Sequence, residues 1–493
     1  MHEARILSDS QVGRRRHGAA CLLFALALGC SNGGETPADA GLRGAIFILL
    51  DTVRADHVST AGYPRQTTPS LEALAKRGVV FEQAISYSSW TLPSVVAILS
   101  GSGASRPAVF AFGGLGRSLV ESIREAGFAT AAFTEGGFVS RELGFDRGFA
   151  TYVEEEGKVQ RLLPGESRHA TRPGSIDRTF SQAGAWLSDN ATRPFFLFVH
   201  TYEPHTPYRR HAFTEGLASG AVGEAFGTEK LPKLRNGSLR FDDADLRYVK
   251  ALYDGGIRES DRHVGRLMKL LEELEIADTT LVVVSSDHGE ELGERDPASV
   301  GDHGRTLYDD LLRVPLIIAN PAEAPAVSRV REQVRTIDIL PTIAELLGVA
   351  LPVAEPTPAA NPNEAPRPDY DGRSLVPFLR GQESSGRIAF GGSPRELPAR
   401  SFVRHLGYKY IETKAGSPNN PKLPSPPPRQ LYDLDDDPGE QHNLVEREPQ
   451  LAARYARWLS EHLALQQQSA INPALESVPE ALRERLRSLG YLE

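Results

Sequence analysis

The sequence predicts an α/β fold with a mostly parallel central sheet sandwiched by helices, followed by a smaller C-terminal antiparallel sheet and helix subdomain. Three observations predict it. Four apolar runs, "AIFILL" (45–50), "PFFLFVH" (194–200), "TLVVVSSDH" (280–288) and "RVPLIIAN" (313–320), have the continuous pattern of strands buried on both faces. Helical patterns lie between them, and strands alternating with helices argue for parallel pairing. Short Tyr-containing runs with turn signals, "LGYKYIET" (406–413) and "RQLYDLDDDPGEQHNL" (429–444), suit a small antiparallel sheet.

The N-terminal segment stands apart from the fold. "GRRRHGAACLLFALALGC" has a positive region at Arg14 to Arg16 and a short apolar run ending at Cys30. The run is too short to span a bilayer as a mature helix. Gly29 before Cys30 resembles the end of a bacterial lipoprotein signal, so residues 1–30 are expected to be a signal segment with Cys30 the lipidated residue. That implies export to the bacterial cell envelope and membrane attachment through a lipid anchor. Plain secretion and a retained anchor stay open. Residues 31–44 read as a flexible tether. The only cysteines are Cys21 and Cys30, so the body of the chain has no disulfide and no cysteine nucleophile.

Residues 45–350 are expected to form the large α/β domain. Its helices are read in "PSLEALAKRG" (69–78), "LPSVVAILSG" (92–101), "SLVESIREAGF" (118–128), "IRESDRHVGRLMKLLEELEI" (257–276) and "TIDILPTIAELLGV" (336–349). A Pro-rich loop covers 351–370, and 371–493 supply the small sheet and the amphipathic helix "EPQLAARYARWLSEHLALQQQ" (448–468). The chain has 493 residues, 40% hydrophobic and 24% charged, which is ordinary for a globular protein. Its 55 Lys and Arg against 64 Asp and Glu give a net charge of −9 and exclude wholesale nucleic-acid binding.

In open parallel sheets, ligands bind beyond the carboxyl ends of the strands. There the sequence places Asp51, then His200 and His205, then Asp287 and His288, with Asp302 and His303 a little further on. Asp51, Asp287 and His288 together offer oxygen and nitrogen ligands for a divalent ion, with Ca, Mn, Mg and Zn all open. Singly, each has a plainer reading, as a helix cap or a hydrogen-bonded histidine. Thr91 in "SSWTLPSVV" reads as the N-cap of the next helix, with Pro93 in its first turn. A hydroxyl at a helix N-terminus beside a cation can also serve as a nucleophile.

At these residues the chain resembles the sulfatase family of the alkaline phosphatase superfamily. The matching segments include "ILLDTVRADHVSTAGYPRQTTPSLEALAKRGVVFEQA", "SSWTLPSVVAILSG", "GFDRGFATY", "FLFVHTYEPHTPY", "SSDHGEELGE", "HGRTLYDDLLRVPLII" and "LYDLDDDPGEQHNL", in family order. The resemblance implies a divalent metal on Asp51, Asp287 and His288 and a nucleophile at Thr91. It places His205 and His303 around the anionic ester, with His200 a second candidate there. The lysine often found before the "TLY" run is missing, and Arg305 stands nearby.

The departures bear on chemistry. Formylglycine sulfatases make their aldehyde from Cys, or sometimes Ser, in a C/S-x-P-S-R motif. Here the motif reads Thr91-Leu92-Pro93-Ser94-Val95, and oxidised threonine would be a ketone. The second Asp of the usual Asp-Asp pair is Thr52, and "FAFGGLG" (110–116) replaces a His-Gly segment. The expected function is a metal-dependent hydrolase acting on a sulfate or phosphate ester, small-molecule or glycan, through Thr91. A phosphotransferase or phosphodiesterase, and an inactive member that binds a sulfated or phosphorylated glycan, are the alternatives. Nothing in the sequence fixes the oligomeric state.

Overall fold

The computed structural model describes residues 41–103, 117–155, 175–214, 216–227, 230–320, 325–353, 368–393, 400–414 and 427–468. The signal segment with Cys30, most of the 31–44 tether, most of the Pro-rich loop and the "FAFGGLG" stretch lie outside these residues.

In chain order the strands of the large sheet are β1 (Gly44–Leu50), β2 (Val79–Ile85), β3 (Ala129–Thr134), β4 (Thr151–Glu154) and β5 (Phe195–Thr201). A two-stranded ribbon, β6 (Tyr208–Arg209) and β7 (Ala225–Phe226), precedes β8 (Thr280–Ser285), β9 (Arg313–Ala319) and β10 (Arg329–Arg335). The order across the large sheet is β10-β2-β9-β8-β1-β5-β3-β4. All neighbours run parallel except around β9, which is antiparallel to both β2 and β8. "RVPLIIAN" is thus a strand as expected, but it runs against the rest. The long 286–312 connection from β8 contains only a 3-10 turn at Pro297–Ser299 and one helical turn at Asp309–Leu312, with no crossover helix, and β9 pairs beside β8 in the reverse direction.

Helices cover both faces. On one lie α2 (Thr91–Ser100), α3 (Val120–Glu125), α8 (Ile339–Leu346) and α9 (Val376–Leu379). On the other lie α1 (Pro69–Ala75), α4 (Ser175–Asn190) and the long α6 (Asp243–Glu273), with the short α5 (Leu231–Arg235) beside them. A one-turn α7 (Asp309–Leu312) leads into β9. The double cover explains the unbroken apolar runs. In β1, Ala45, Phe47 and Leu49 enter one core while Ile46, Ile48 and Leu50 enter the other.

Helix α6 begins well before the expected 257–276 segment. Asp242 caps it by accepting from the N–H groups of Ala244 and Asp245, and the Asp245 carboxylate returns to the Asp242 N–H at 3.1 Å. The small sheet, β11 (Ala389–Ser393), β12 (Arg400–His405), β13 (Tyr408–Thr413) and β14 (Arg429–Asp433), is antiparallel throughout, as expected. One face packs on Ile85, Leu307 and Leu312 of the large domain, and the other on Tyr455 and Leu459 of α10 (Pro449–Gln468).

Candidate active site

Three adjacent strands, β8, β1 and β5, end beside one another. Asp51 follows β1, Asp287 and His288 follow β8, and His200 is the penultimate residue of β5. In this way adjacency in the sheet turns a sequence separation of more than two hundred residues into contact. Donor atoms of Asp51, Asp287 and His288 lie within 4.8 Å of one another, and all three residues are fully buried.

Thr91 reaches this cluster from β2, which is separated from β8 by β9. The connecting loop crosses β9: the Ser86 N–H donates to the Leu312 carbonyl at 2.7 Å, and the Ser86 hydroxyl donates to the Asp287 carbonyl. The structure corrects the reading of Thr91 as a helix cap. Trp90 is the N-cap residue and Thr91 is the first residue of α2. The Thr91 hydroxyl turns to the cluster instead, 3.4 Å from Asp51 Oδ2 and 3.2 Å from His288 Nε2. Val95, one turn on, is buried in the apolar core beneath α2.

The donor set suits a divalent cation. Asp51 Oδ1 and Asp287 Oδ2 are buried with no hydrogen-bond partner among the described residues. Burial, the Asp287 charge and the Glu290 charge together push the Asp51 carboxyl well above its usual range. Two buried carboxylates with orphaned oxygens are costly unless a cation lies between them. The His288 Nδ1 is 2.7 Å from the Gly289 carbonyl. A carbonyl only accepts, so Nδ1 carries the proton and Nε2 keeps the lone pair that a metal needs. Only glycine fits at 289, because a Cβ there would lie 1.9 Å from the Asp310 carbonyl oxygen.

Thr52 is tied to its neighbours by two hydrogen bonds. Its hydroxyl donates to the Asp51 carbonyl at 2.7 Å and its N–H to Asp287 Oδ1 at 3.2 Å. Its backbone sits at φ 60°, a conformation rare for a β-branched residue.

The other histidines gather close by. The His303 ring lies 4.7 Å from His288 and 4.9 Å from His205, centre to centre. Glu290, which the sequence reading did not single out, is fully buried and accepts from His303 Nδ1 at 2.8 Å. His205 Nδ1 is held by the Thr206 carbonyl. Both rings therefore carry their Nδ1 proton toward the protein. His200 Nε2 is 3.4 Å from Asp51 Oδ2, and burial lowers His200 to about 4, so the ring is neutral at neutral pH. Arg305 is the outlier among the expected residues: its Nε pairs with Asp302 Oδ2 at 3.1 Å. Asp302 also pairs with Arg235 at 2.6 Å, so two arginines hold its carboxylate.

The sulfatase family profile matches residues 44–349. The chain belongs to the sulfatase family. Among curated relatives, it is 25% identical to an ulvan-active sulfatase of Formosa agariphila, over 81% of this chain and 76% of that protein. It is 26% identical to a choline-sulfatase of Rhizobium meliloti, over 77% of each. Among solved structures, the phosphonate monoester hydrolase of Silicibacter pomeroyi shares the fold with a TM-score of 0.64 at 22% identity, covering 87% of this chain and 96% of that one. The protein is a hydrolase of ester bonds, in a metal-dependent family, with a buried cluster of the required donor chemistry.

Proposed function

We propose that this sulfatase-family protein cleaves a phosphate or sulfate ester with Thr91 as nucleophile, and that a phosphodiester or phosphonate monoester is the better substrate. The observation that carries this reading is the Thr91 hydroxyl, buried at the start of α2 and within 3.4 Å of both Asp51 and His288.

Asp51, Asp287 and His288 would hold the divalent ion. Bound there, the ion supplies the positive charge that makes the Thr91 hydroxyl easier to deprotonate. The residues of the chain do the rest. The N-terminal turn of α2 favours an anionic oxygen at Thr91. That oxygen bonds to the phosphorus or sulfur while the ester bond to the leaving alcohol breaks. One of His205 and His303, each anchored through its Nδ1–H, delivers from Nε2, as the imidazolium, the single proton that the leaving oxygen requires. His200, neutral and buried, lines the ester's other side, and Arg305 stands at the rim with Asp302.

The preference for phosphorus follows from the residue at position 91. A formylglycine hydrate releases sulfate by collapsing to the aldehyde, and a threonine ester has no such route. Water must attack its central atom, the way phosphoryl intermediates on hydroxyls are resolved. Purified protein should be assayed with an aryl sulfate, a phosphate monoester, a phosphate diester and a phosphonate monoester, each with Mn²⁺, Ca²⁺, Mg²⁺ and Zn²⁺. Sulfate turnover well above diester and phosphonate turnover would overturn the preference.

We also infer lipid attachment at Cys30 on an exported chain, from the charged and apolar segment ahead of it. Metabolic labelling with a radiolabelled fatty acid, lost in Cys30→Ala, tests it.

A further inference from the structure

The turn that carries Asp51 out of β1 is strained, and the structure shows what holds it. Thr52 lies at φ 60°. A β-branched residue keeps this conformation only where its surroundings over-determine it. The hydroxyl of Tyr253, from the middle of α6, donates to the Thr52 carbonyl at 2.6 Å and accepts the Arg54 N–H at 2.9 Å. It thus spends its donor and an acceptor on either side of the same short turn. From below, the Val53 N–H donates to the Ser286 hydroxyl at 2.8 Å, and the Thr52 N–H reaches Asp287. Tyr253 is fully buried, with His57 and Tyr208 packed edge-on against its ring.

A buried tyrosine with one hydroxyl partner needs no explanation beyond packing. Two hydrogen bonds that flank Val53, directly after a left-handed threonine and two residues from a cluster ligand, ask for one. We propose that Tyr253 is a positioning residue: its phenol clips the Thr52 turn and thereby fixes the Asp51 carboxylate against Asp287 and His288. The inference rests on the reading of that cluster as the cation site. Tyr253 itself touches none of the three ligands; it sets where one of them can be.

The test is Mn²⁺ affinity of the folded full chain at 25 °C, read by calorimetry or by the paramagnetic signal of free Mn²⁺, with no turnover involved. Tyr253→Phe should bind Mn²⁺ about tenfold more weakly or worse, as expected when the support of a ligand is lost. Thr52→Gly should bind as the wild type does, because glycine adopts φ near +60° without strain. Added to Tyr253→Phe, it should restore affinity to within about threefold of wild type. Wild-type affinity in Tyr253→Phe, or no recovery in the double variant, would overturn the proposal. Where Tyr253→Phe alone folds poorly, the double variant is compared with Thr52→Gly alone, and a gap beyond about threefold overturns it. A wild-type chain that binds no Mn²⁺ sensitive to Asp51→Asn overturns the cation reading instead.

Discussion

Two buried charged clusters in this molecule handle burial in opposite ways. At the seam between the large domain and the small sheet, Asp309 meets Arg404 at 2.9 Å and Lys409 at 2.8 Å. Lys409, with no exposed surface on its side chain, also meets Glu440 at 2.7 Å. Burial works to raise the Asp309 carboxyl, but Arg404 and Lys409 outweigh it and hold it far below the ordinary range. In the site, burial raises Asp51 and the neighbouring Asp287 charge raises it further. Neither Asp51 nor Asp287 pairs with a lysine or arginine among the described residues; their nearest basic neighbours are the imidazoles of His200 and His288, His200 being neutral. The seam is a finished ion network. The site is an unbalanced one, and unbalanced buried charge, rather than burial, marks where a cation and a reaction belong.

The comparison can be broken at several points. The largest effect is expected from Thr91→Ala, which should lower turnover by roughly a thousandfold or more while leaving the thermal midpoint unchanged. Retained activity with the alanine would remove Thr91 from the mechanism. Next comes a contrast of sign between two aspartates. Asp309→Asn should destabilise the fold by about 3 kcal/mol or more in urea denaturation, because it leaves Lys409 and Arg404 short of charge. Asp51→Asn should leave the metal-free fold equally stable or more so, because it relieves repulsion, while abolishing metal binding.

A chelator should lower the unfolding midpoint of the wild type and not of Asp51→Asn. At an ion concentration about 100-fold over the dissociation constant, the bound ion adds about 2.7 kcal/mol. The pH dependence then separates the clusters further. The folded-state pKa of Asp309 is depressed, so its contribution to stability is present above the ordinary carboxylate pKa of about 3.9 and is lost as pH falls below it. Acid denaturation followed by circular dichroism should therefore show a shallower loss for Asp309→Asn than for wild type. The smallest effect sets the scale: Arg77→Ala, which removes a surface pair to the highly exposed Asp278, should change stability by less than about 0.5 kcal/mol.

The central strands and the site residues at their ends were legible because double burial leaves an unbroken apolar run, and the polar residue that breaks it stands at the sheet's working edge. The outer strands, β10 at one edge and β3 beside the edge strand β4 at the other, were not. β10 reads "RVREQVR" and β3 "ATAAFT", one studded with arginines and the other built of small residues, so neither carries the buried-strand signal. The first half of α6 contains Gly255-Gly256, a pair that sequence rules treat as a break, and the capping box at Asp242 was the signal that could have extended it. Thr91 was placed correctly at a helix start, but the direction of its hydroxyl depends on a loop crossing β9 to Asp287, and no local pattern encodes that. Glu290 and Tyr253 were hidden for a similar reason: their partners are set by the tertiary fold.

Helix α6 touches the site's surroundings several times within a few turns. Tyr253 meets the Thr52 turn, and Asp254 holds His57, Tyr63 and Arg65. Gly256 lies so close to the Glu203–Pro204 backbone that a Cβ would sit 2.8 Å from the Glu203 carbonyl oxygen, and Asp261 caps α1 through Ser70 and Leu71. The helix is a jig, indexing separate loops from one rigid edge. Loops fitted to a jig can change length or sequence without losing their seat. The jig cannot: one residue inserted between Tyr253 and Asp261 would rotate the seats on one side of it by about 100° relative to those on the other. Variation that retunes the substrate should therefore accumulate in the loops, while the spacing from Tyr253 to Asp261 admits no insertion or deletion.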